Sequence, residues 1–125
     1  IMAFTQLTVE RMQIYTTSGI YVNDLPLYEA IFKEARRLKI AGATVTKAIL
    51  GYGGENLVRG KSSFLSANDT PMKIELMDSK EQLDQLLPFL ETHLTKGAIV
   101  REPVTLLINE KKGVPSEPPT DKSPQ

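Results

Sequence analysis

The order of strand-like and helix-like segments in this chain predicts an α+β fold of the ferredoxin-like βαββαβ type. Three observations support this prediction. Four segments alternate apolar and polar residues with the period of a strand, two segments carry apolar residues at three- and four-residue spacing, and they follow the order strand, helix, strand, strand, helix, strand. Right-handed crossovers then place both helices on one face of a four-stranded antiparallel sheet.

The strands are predicted from alternation and from β-branched content. In the third strand Met72 and Ile74 share one face, whereas Lys73 and Glu75 share the other, so one face is expected to be buried. The last strand contains Pro103, which cannot donate a ladder hydrogen bond and therefore indicates an edge position or a bulge. The predicted strands cover residues 7–16, 43–51, 70–78 and 98–108.

The two helices are predicted over residues 25–39 and 79–95. Asn23 or Asp24 is expected to cap the first helix, and Gly42 is expected to end it. The second helix contains Pro88 in its middle, which removes one backbone hydrogen bond and should bend it. Gly97 is expected to end this helix.

The second face of the sheet, opposite the helices, is predicted to carry exposed apolar side chains. A surface patch of that kind favours association with another chain, and a homo-oligomer is expected. The residues expected there are Tyr15, Val45, Ile49, Val100 and Leu107.

Composition excludes several classes of function. Fifteen basic residues balance fifteen acidic ones, so no overall positive field attracts nucleic acid or an anionic membrane. The chain has no cysteine, which excludes disulfides, thiolate metal sites and cysteine nucleophiles. Its only histidine, His93, is expected to be structural, and no Ser-His-Asp set can be assembled, so an enzyme is not expected.

No segment approaches the roughly 20 apolar residues of a membrane span, and no secretory signal is visible, which favours a cytoplasmic protein. One domain is predicted over residues 1–109. Residues 110–125 are rich in proline and poor in apolar residues, and we expect a disordered tail there.

The segment "GYGGENLVRG", residues 51–60, lies between the second and third predicted strands. It matches neither the P-loop nor the Rossmann fingerprint. Successive backbone N–H groups around glycines can nevertheless form an anion-binding concavity, with Arg59 and Lys61 neutralising the charge. The alternative is a mobile hairpin connection with solvated cations. From the residues alone both interpretations stay open.

Several separated motifs, in a consistent order, resemble the domain-of-unknown-function 190 family, a group of PII-like proteins. The resemblance covers about residues 7–108. Its motifs are the segments "PLYEA" (26–30), "AGATV" (41–45), "GYG" (51–53), "DTPMKIELMD" (69–78) and "LP" (87–88).

This resemblance implies a PII-like homotrimer in which the bare sheet faces meet at the centre. It implies a signalling protein, a sensor rather than an enzyme, that binds an adenine nucleotide (ATP, ADP, AMP or cyclic AMP) in clefts between subunits. Residues 52–71 would form the T-loop, which contacts a target such as a membrane transporter. The connection before the last strand, residues 95–98, is shorter than in typical PII proteins.

The resemblance also implies a set of nucleotide-binding residues. Three glycines would give backbone contacts and hinge freedom, two cations would supply charge, and one Lys-Gly pair would form the opposing wall. These residues are Gly51, Gly53, Gly54, Arg59, Lys61, Lys96 and Gly97.

A different class with the same architecture is a CutA-like trimer that binds a divalent metal ion or serves as a scaffold. Such a site would need oxygen ligands, for which Glu55, Asp69 and Glu102 are the candidates.

Overall fold

A four-stranded antiparallel sheet forms one layer of the protein, and helices cover one of its faces. The computed structural model describes residues 3–53, 59–60 and 69–109 of the chain. The strands follow the order β4-β7-β1-β8. This order places the first and third long strands of the chain at the centre, as the ferredoxin-like plan predicts.

The four long strands overlap the four strands predicted from the sequence. Short two-stranded pairs are added before the first helix and after β4. The strands are β1 Phe4–Thr17, β2 Tyr21–Val22, β3 Leu25–Pro26, β4 Gly42–Lys47, β5 Leu50–Gly51, β6 Arg59–Gly60, β7 Pro71–Asp78 and β8 Ala98–Asn109. The helices are α1 Leu27–Arg37, α2 Lys80–Asp84 and α3 Leu87–His93.

The core lies between the sheet and the helices. Met12 and Ile14 of β1 and Ile74 and Leu76 of β7 are fully buried, because alternate residues of these two central strands face the helices. The helical segments contribute Leu27, Ile31, Ala35, Leu83, Leu86 and Leu90. Among the described residues, these ten form one continuous cluster across the two layers.

The second predicted helix is divided into two helices. Ser79 caps α2 by accepting a hydrogen bond from the Gln82 backbone N–H at 3.1 Å. The chain turns at Gln85 and Leu86, and α3 begins at Leu87 with Pro88 in its first turn. Proline needs no donor there, so the helix restarts at this residue instead of bending around it. The predicted stop, Gly97, lies beyond the end of α3.

The caps predicted for α1 are wrong. Its N-cap is Pro26, without a side-chain hydrogen bond, and Asn23 instead occupies the turn between β2 and β3 with φ of 57°. Asparagine tolerates this left-handed conformation better than most residues. After the C-terminal end of α1 the residue in the left-handed conformation is Lys39, with φ of 64°. Gly42 is instead the first residue of β4.

The second sheet face carries Tyr15 and Val100 as predicted, and both are exposed. The prediction for Val45 is wrong, since Val45 pairs with buried Ile74 and packs against the core. Leu107 is exposed, but it lies on the same side of its strand pair as the buried residues of β1, not on the second face. Predicting these faces requires the strand register, which alternation alone does not supply.

Two charged residues of β8 form ion pairs within the chain. Arg101 bridges Glu10 at 2.6 Å and Asp84 at 2.8 Å, which fastens α2 to the sheet. The hydrogen bond from Arg101 lowers the pKa of the Asp84 carboxyl. On the opposite face Glu102 accepts a hydrogen bond from Arg11 at 2.6 Å. No helix in the described ranges is long and apolar enough to cross a membrane.

Candidate functional site

A cleft of about 670 Å³ lies at one end of the sheet. β1 and β4 finish there, while β7 and β8 begin there, so the ends of all four strands contribute to it. The segment after β4, including Tyr52 at 73% exposure, forms a further side. The cleft therefore adjoins both the second sheet face and the start of the 52–71 loop.

Four of the seven predicted site residues line this cleft. They are Gly51, Gly53, Lys96 and Gly97, contributed by two segments far apart in sequence. Arg59 belongs to β6 and pairs with Gly51, and only its backbone is described. Gly54 and Lys61 lie outside the described residues, as do most of loop 52–71 and the whole of 110–125.

Gly97 fits its position for a backbone reason. Its φ is +150°, and a Cβ atom there would overlap the carbonyl oxygen of Tyr15 and lie 2.9 Å from Cδ1 of Leu94. A side chain is strained in this conformation whatever the surrounding space. Gly97 thus allows the chain to pass close to the end of β1 before it enters β8.

The adjoining residue, Lys96, is held by a buried hydroxyl. Thr16 of β1 is 7% exposed, and its Oγ1 donates to the Lys96 carbonyl at 3.0 Å. This hydrogen bond ties the connection between α3 and β8 to the central strand. The Lys96–Gly97 wall is therefore fixed by the sheet, despite the shortness of the connection.

The side of the cleft that contains Gly51 and Gly53 lies next to the start of β7. A Cβ atom on Gly51 would lie 3.2 Å from Cγ of Pro71, whereas at Gly53 it would meet nothing within 4 Å. The Ala48 N–H donates to the Pro71 carbonyl at 2.9 Å, and the Ser18 N–H donates to the Thr70 carbonyl at 2.8 Å. The C-terminal end of the predicted T-loop, at Thr70 and Pro71, is consequently attached to the segments that follow β1 and β4.

The charged residues in the described cleft lining are all basic. They are Lys73 and Lys96, and no aspartate or glutamate is among the described lining residues. The lining also includes the hydroxyl residues Thr16, Thr17 and Thr46. Such a surface can attract an anion and supply hydroxyl and amide donors to it. Sequence reasoning missed Lys73, because alternation shows only that it faces away from the core.

The described ranges contain no group of three His, Asp or Glu side chains that could hold a metal ion. Of the metal ligands considered from sequence, Glu102 is engaged by Arg11, and Glu55 lies outside the described residues. His93 packs against Phe89, with ring centroids 4.5 Å apart.

The fold matches PII-like proteins among solved structures. The PII-like protein CPII from Thiomonas intermedia K12, a nitrogen regulatory protein bound to ADP, AMP and bicarbonate, superposes with a TM-score of 0.57 and 14% identity. That match covers 85% of this chain and 92% of CPII. A protein of Thermus thermophilus, regarded as a PII-like signalling protein, superposes with a TM-score of 0.54 and 20% identity over 82% of this chain and 91% of its own.

The chain belongs to the DUF190 family, described as an uncharacterized ACR, whose model matches residues 9–106. A UPF0166 protein of Methanocaldococcus jannaschii is 39% identical over 93 residues, 71% of this chain and 82% of that protein. A UPF0166 protein of Aquifex aeolicus is 28% identical over 76 residues, 61% of this chain and 72% of its own. The resemblance drawn from the sequence motifs is thereby confirmed.

Proposed function

We propose that this protein is a PII-like regulator that binds an adenine nucleotide, or a similar small anionic effector, in the cleft at the sheet end. The observation that carries the proposal is the cleft lining, where glycine backbone, hydroxyl groups and lysines converge without a carboxylate among the described residues. Solved PII-like structures with ADP and AMP support the choice of nucleotide. The protein acts as a sensor and not as an enzyme.

The phosphate groups of the effector would lie between the two glycine segments. Gly53 has open space where a side chain would stand, so phosphate can approach its backbone closely. Lys96 and Gly97 form the facing wall, held in place by Thr16. Arg59, Lys61 and Gly54 complete the set in this proposal.

Signalling would use the 52–71 loop, because its first residues are part of the cleft wall. An effector that binds one loop conformation more tightly than another shifts the population towards that conformation. The target proposed from the family resemblance is a membrane transporter. Residues 1–109 would carry this function, and the 110–125 tail would be dispensable for effector binding.

The assembly proposed is a homotrimer, with the cleft between subunits. The second sheet face supports it, because Tyr15 and Val100 remain exposed there in the single chain. Multi-angle light scattering should give three times the mass of the chain. A monomer would contradict the assembly and would leave the cleft open to solvent on that side.

Calorimetric titration with ATP, ADP, AMP and cyclic AMP tests effector binding, each with and without bicarbonate. Bicarbonate is included because CPII was solved with it. At least one nucleotide should bind. The site variant is Lys96→Gln, and its matched control is Lys33→Gln, which removes an exposed lysine of α1 that is not part of the cleft lining.

Loss of one charge-assisted contact should weaken nucleotide binding about tenfold in the Lys96 variant and leave the Lys33 variant unchanged. If none of the four nucleotides binds the trimer, the proposal is wrong. Equal affinities in the two variants would remove Lys96 from the site.

A further inference from the structure

We infer that the ends of β1 and β8 farthest from the cleft form a ribbon through which copies of this chain associate. The ribbon consists of residues 4–9 and 104–109, and one of its faces carries an apolar stripe. The inference rests on the homotrimer in the proposed function and deepens it, because it names the segment that supplies the contact. The stripe consists of Leu7, Val9, Val104, Leu106 and Ile108.

The ribbon extends past the third strand of the sheet. β1 pairs with β7 from Glu10 to Thr17, and β7 ends at Asp78, opposite Glu10. The pairing of β1 with β8 continues as far as Phe4, opposite Asn109. Six residues of each strand, about 20 Å, therefore form a two-stranded extension. A ribbon of two strands is at best marginally stable in water, so its apolar face is expected to be covered.

The stripe lies on the second sheet face. Met12 of β1 is buried towards the helices, so the odd-numbered residues of β1 point away from them. β1 and β8 pair in constant register, so the residue opposite each of these points the same way. Leu7 lies opposite Leu106, and Val9 lies opposite Val104. Directly opposed apolar side chains thus form one continuous surface along the ribbon.

On the opposite face of the ribbon, exposed apolar residues have polar partners. Phe4 lies opposite Asn109, and Leu107 lies opposite Gln6. Apolar residues that are exposed singly are ordinary, whereas a contiguous patch marks an association surface. The stripe is therefore the face that makes the contact.

The middle of the second sheet face contributes less to association. Arg11 and Glu102 form an ion pair there at 2.6 Å, and Gln13 donates a hydrogen bond to Glu75 at 3.4 Å. Covering such groups removes water from them and contributes little net free energy. The exposed apolar residues of this face form two groups on either side of the ion pair, one towards the cleft and one in the ribbon.

The stripe is covered by other copies of this chain. It continues the second sheet face, so subunits that meet through that face bring their ribbons together. The segment 110–125 starts at the end of the ribbon, but Val114 is its single aliphatic residue, among four prolines and several charged residues. That composition does not match five aliphatic side chains. A second ribbon does match them, because it presents the same side chains and buries apolar surface against them.

The ribbon and the cleft lie at opposite ends of β1. Leu7 precedes Thr16 of the cleft lining by nine residues, about 30 Å along the strand, so its side chain cannot contact a ligand there. A ribbon variant can therefore weaken nucleotide binding only through the assembly, which completes the cleft in the proposed function.

Leu7→Asp and Leu107→Asp form a matched pair of variants. Both leucines belong to the ribbon and are exposed, 41% and 50%, but they lie on opposite faces. Light scattering of the full chain over a range of protein concentrations gives the assembly mass, circular dichroism checks the fold, and calorimetry with ADP measures binding. Because the chain has no cysteine, Leu7→Cys and Leu107→Cys test the same contact without an added charge, by mild oxidation and non-reducing electrophoresis.

We expect Leu7→Asp to raise the concentration at which the assembly dissociates by at least about tenfold, because it removes apolar contacts and brings like charges together. Leu107→Asp should keep the wild-type mass. Leu7→Cys should give covalently linked dimers, and Leu107→Cys should give far fewer. Binding of ADP should weaken in Leu7→Asp and stay within about twofold of wild type in Leu107→Asp.

Several results would overturn the inference. They are a wild-type monomer, an unchanged assembly mass in Leu7→Asp, equal dissociation of the two aspartate variants, and equal cross-linking of the two cysteine variants. If wild type binds no nucleotide but Leu7→Asp alone dissociates, the ribbon contact stands and the nucleotide sensor is rejected. The two failures are thus distinguishable.

Discussion

Replacement of Gly97 by alanine should destabilise the protein strongly. Its φ of +150° is strained for any side chain, and the new Cβ would overlap the Tyr15 carbonyl, which belongs to the central strand and cannot move alone. A strained backbone conformation costs about 1–3 kcal/mol, and forcing a methyl group against packed atoms costs a similar amount. We expect a loss of about 3 kcal/mol, a large part of the roughly 5–15 kcal/mol that stabilises a domain.

Urea unfolding followed by far-ultraviolet circular dichroism measures this loss. With an m value of about 2 kcal/mol/M, the midpoint should fall by about 1.5 M while the slope stays unchanged. Gly53→Ala is the matched control, because its new methyl group meets nothing within 4 Å. That variant should unfold within about 0.5 kcal/mol of wild type. If Gly97→Ala shares the wild-type midpoint, the close passage of the chain beside β1 is not as described.

Three other predictions concern the helices and the cleft wall. Pro88→Ala should change the free energy of unfolding by less than about 1 kcal/mol, since Pro88 lies in the first turn of α3. If urea unfolding shows the alanine variant to be more stable by about 3 kcal/mol, Pro88 would instead lie in a helix interior. Arg101 lowers the pKa of Asp84 in the folded state. The Asp84 carboxylate therefore stabilises the protein above its unfolded-state pKa, and this stabilisation is lost as pH falls through the lower folded-state pKa. Urea midpoints between pH 6 and pH 2 should depend less on pH in Asp84→Asn than in wild type, and equal slopes would contradict this. Thr16→Val removes the hydrogen bond to the Lys96 carbonyl and should cost about 1 kcal/mol of stability, with weaker nucleotide binding in calorimetry; unchanged binding would show that Lys96 needs no such support.

The fold could be predicted from sequence because its signals are local and periodic. Alternation in β7, with Met72 and Ile74 buried, and the apolar stripe of α1 are each visible within a few residues. The details that failed depend on tertiary contacts. Val45 faces the core because of its register with Ile74, and the α1 cap is replaced by the β2–β3 turn at Asn23. Neither signal is present in the local pattern.

The candidate site was predictable only in part for the same reason. Glycines mark special backbone positions in any sequence, so Gly51 and Gly97 were visible as candidates. Lys73 was not, because a lysine on an alternating strand looks like every other solvent-facing cation. Its significance comes from the strand ends that surround it, with Tyr15 and Thr46 as its direct partners across the sheet.

The glycines of the cleft differ in what their replacement can reveal. An alanine at Gly97 would alter the backbone, so lost effector binding there would not separate ligand contact from misfolding. An alanine at Gly51 would place its Cβ 3.2 Å from Cγ of Pro71, so its effect on stability should lie between those of alanine at Gly97 and at Gly53. Gly53 has no such requirement from the described structure, so alanine there adds one methyl group to the cleft wall and little else. Weaker nucleotide binding in Gly53→Ala at unchanged stability would therefore place the ligand against this backbone, and unchanged binding would remove Gly53 from the site.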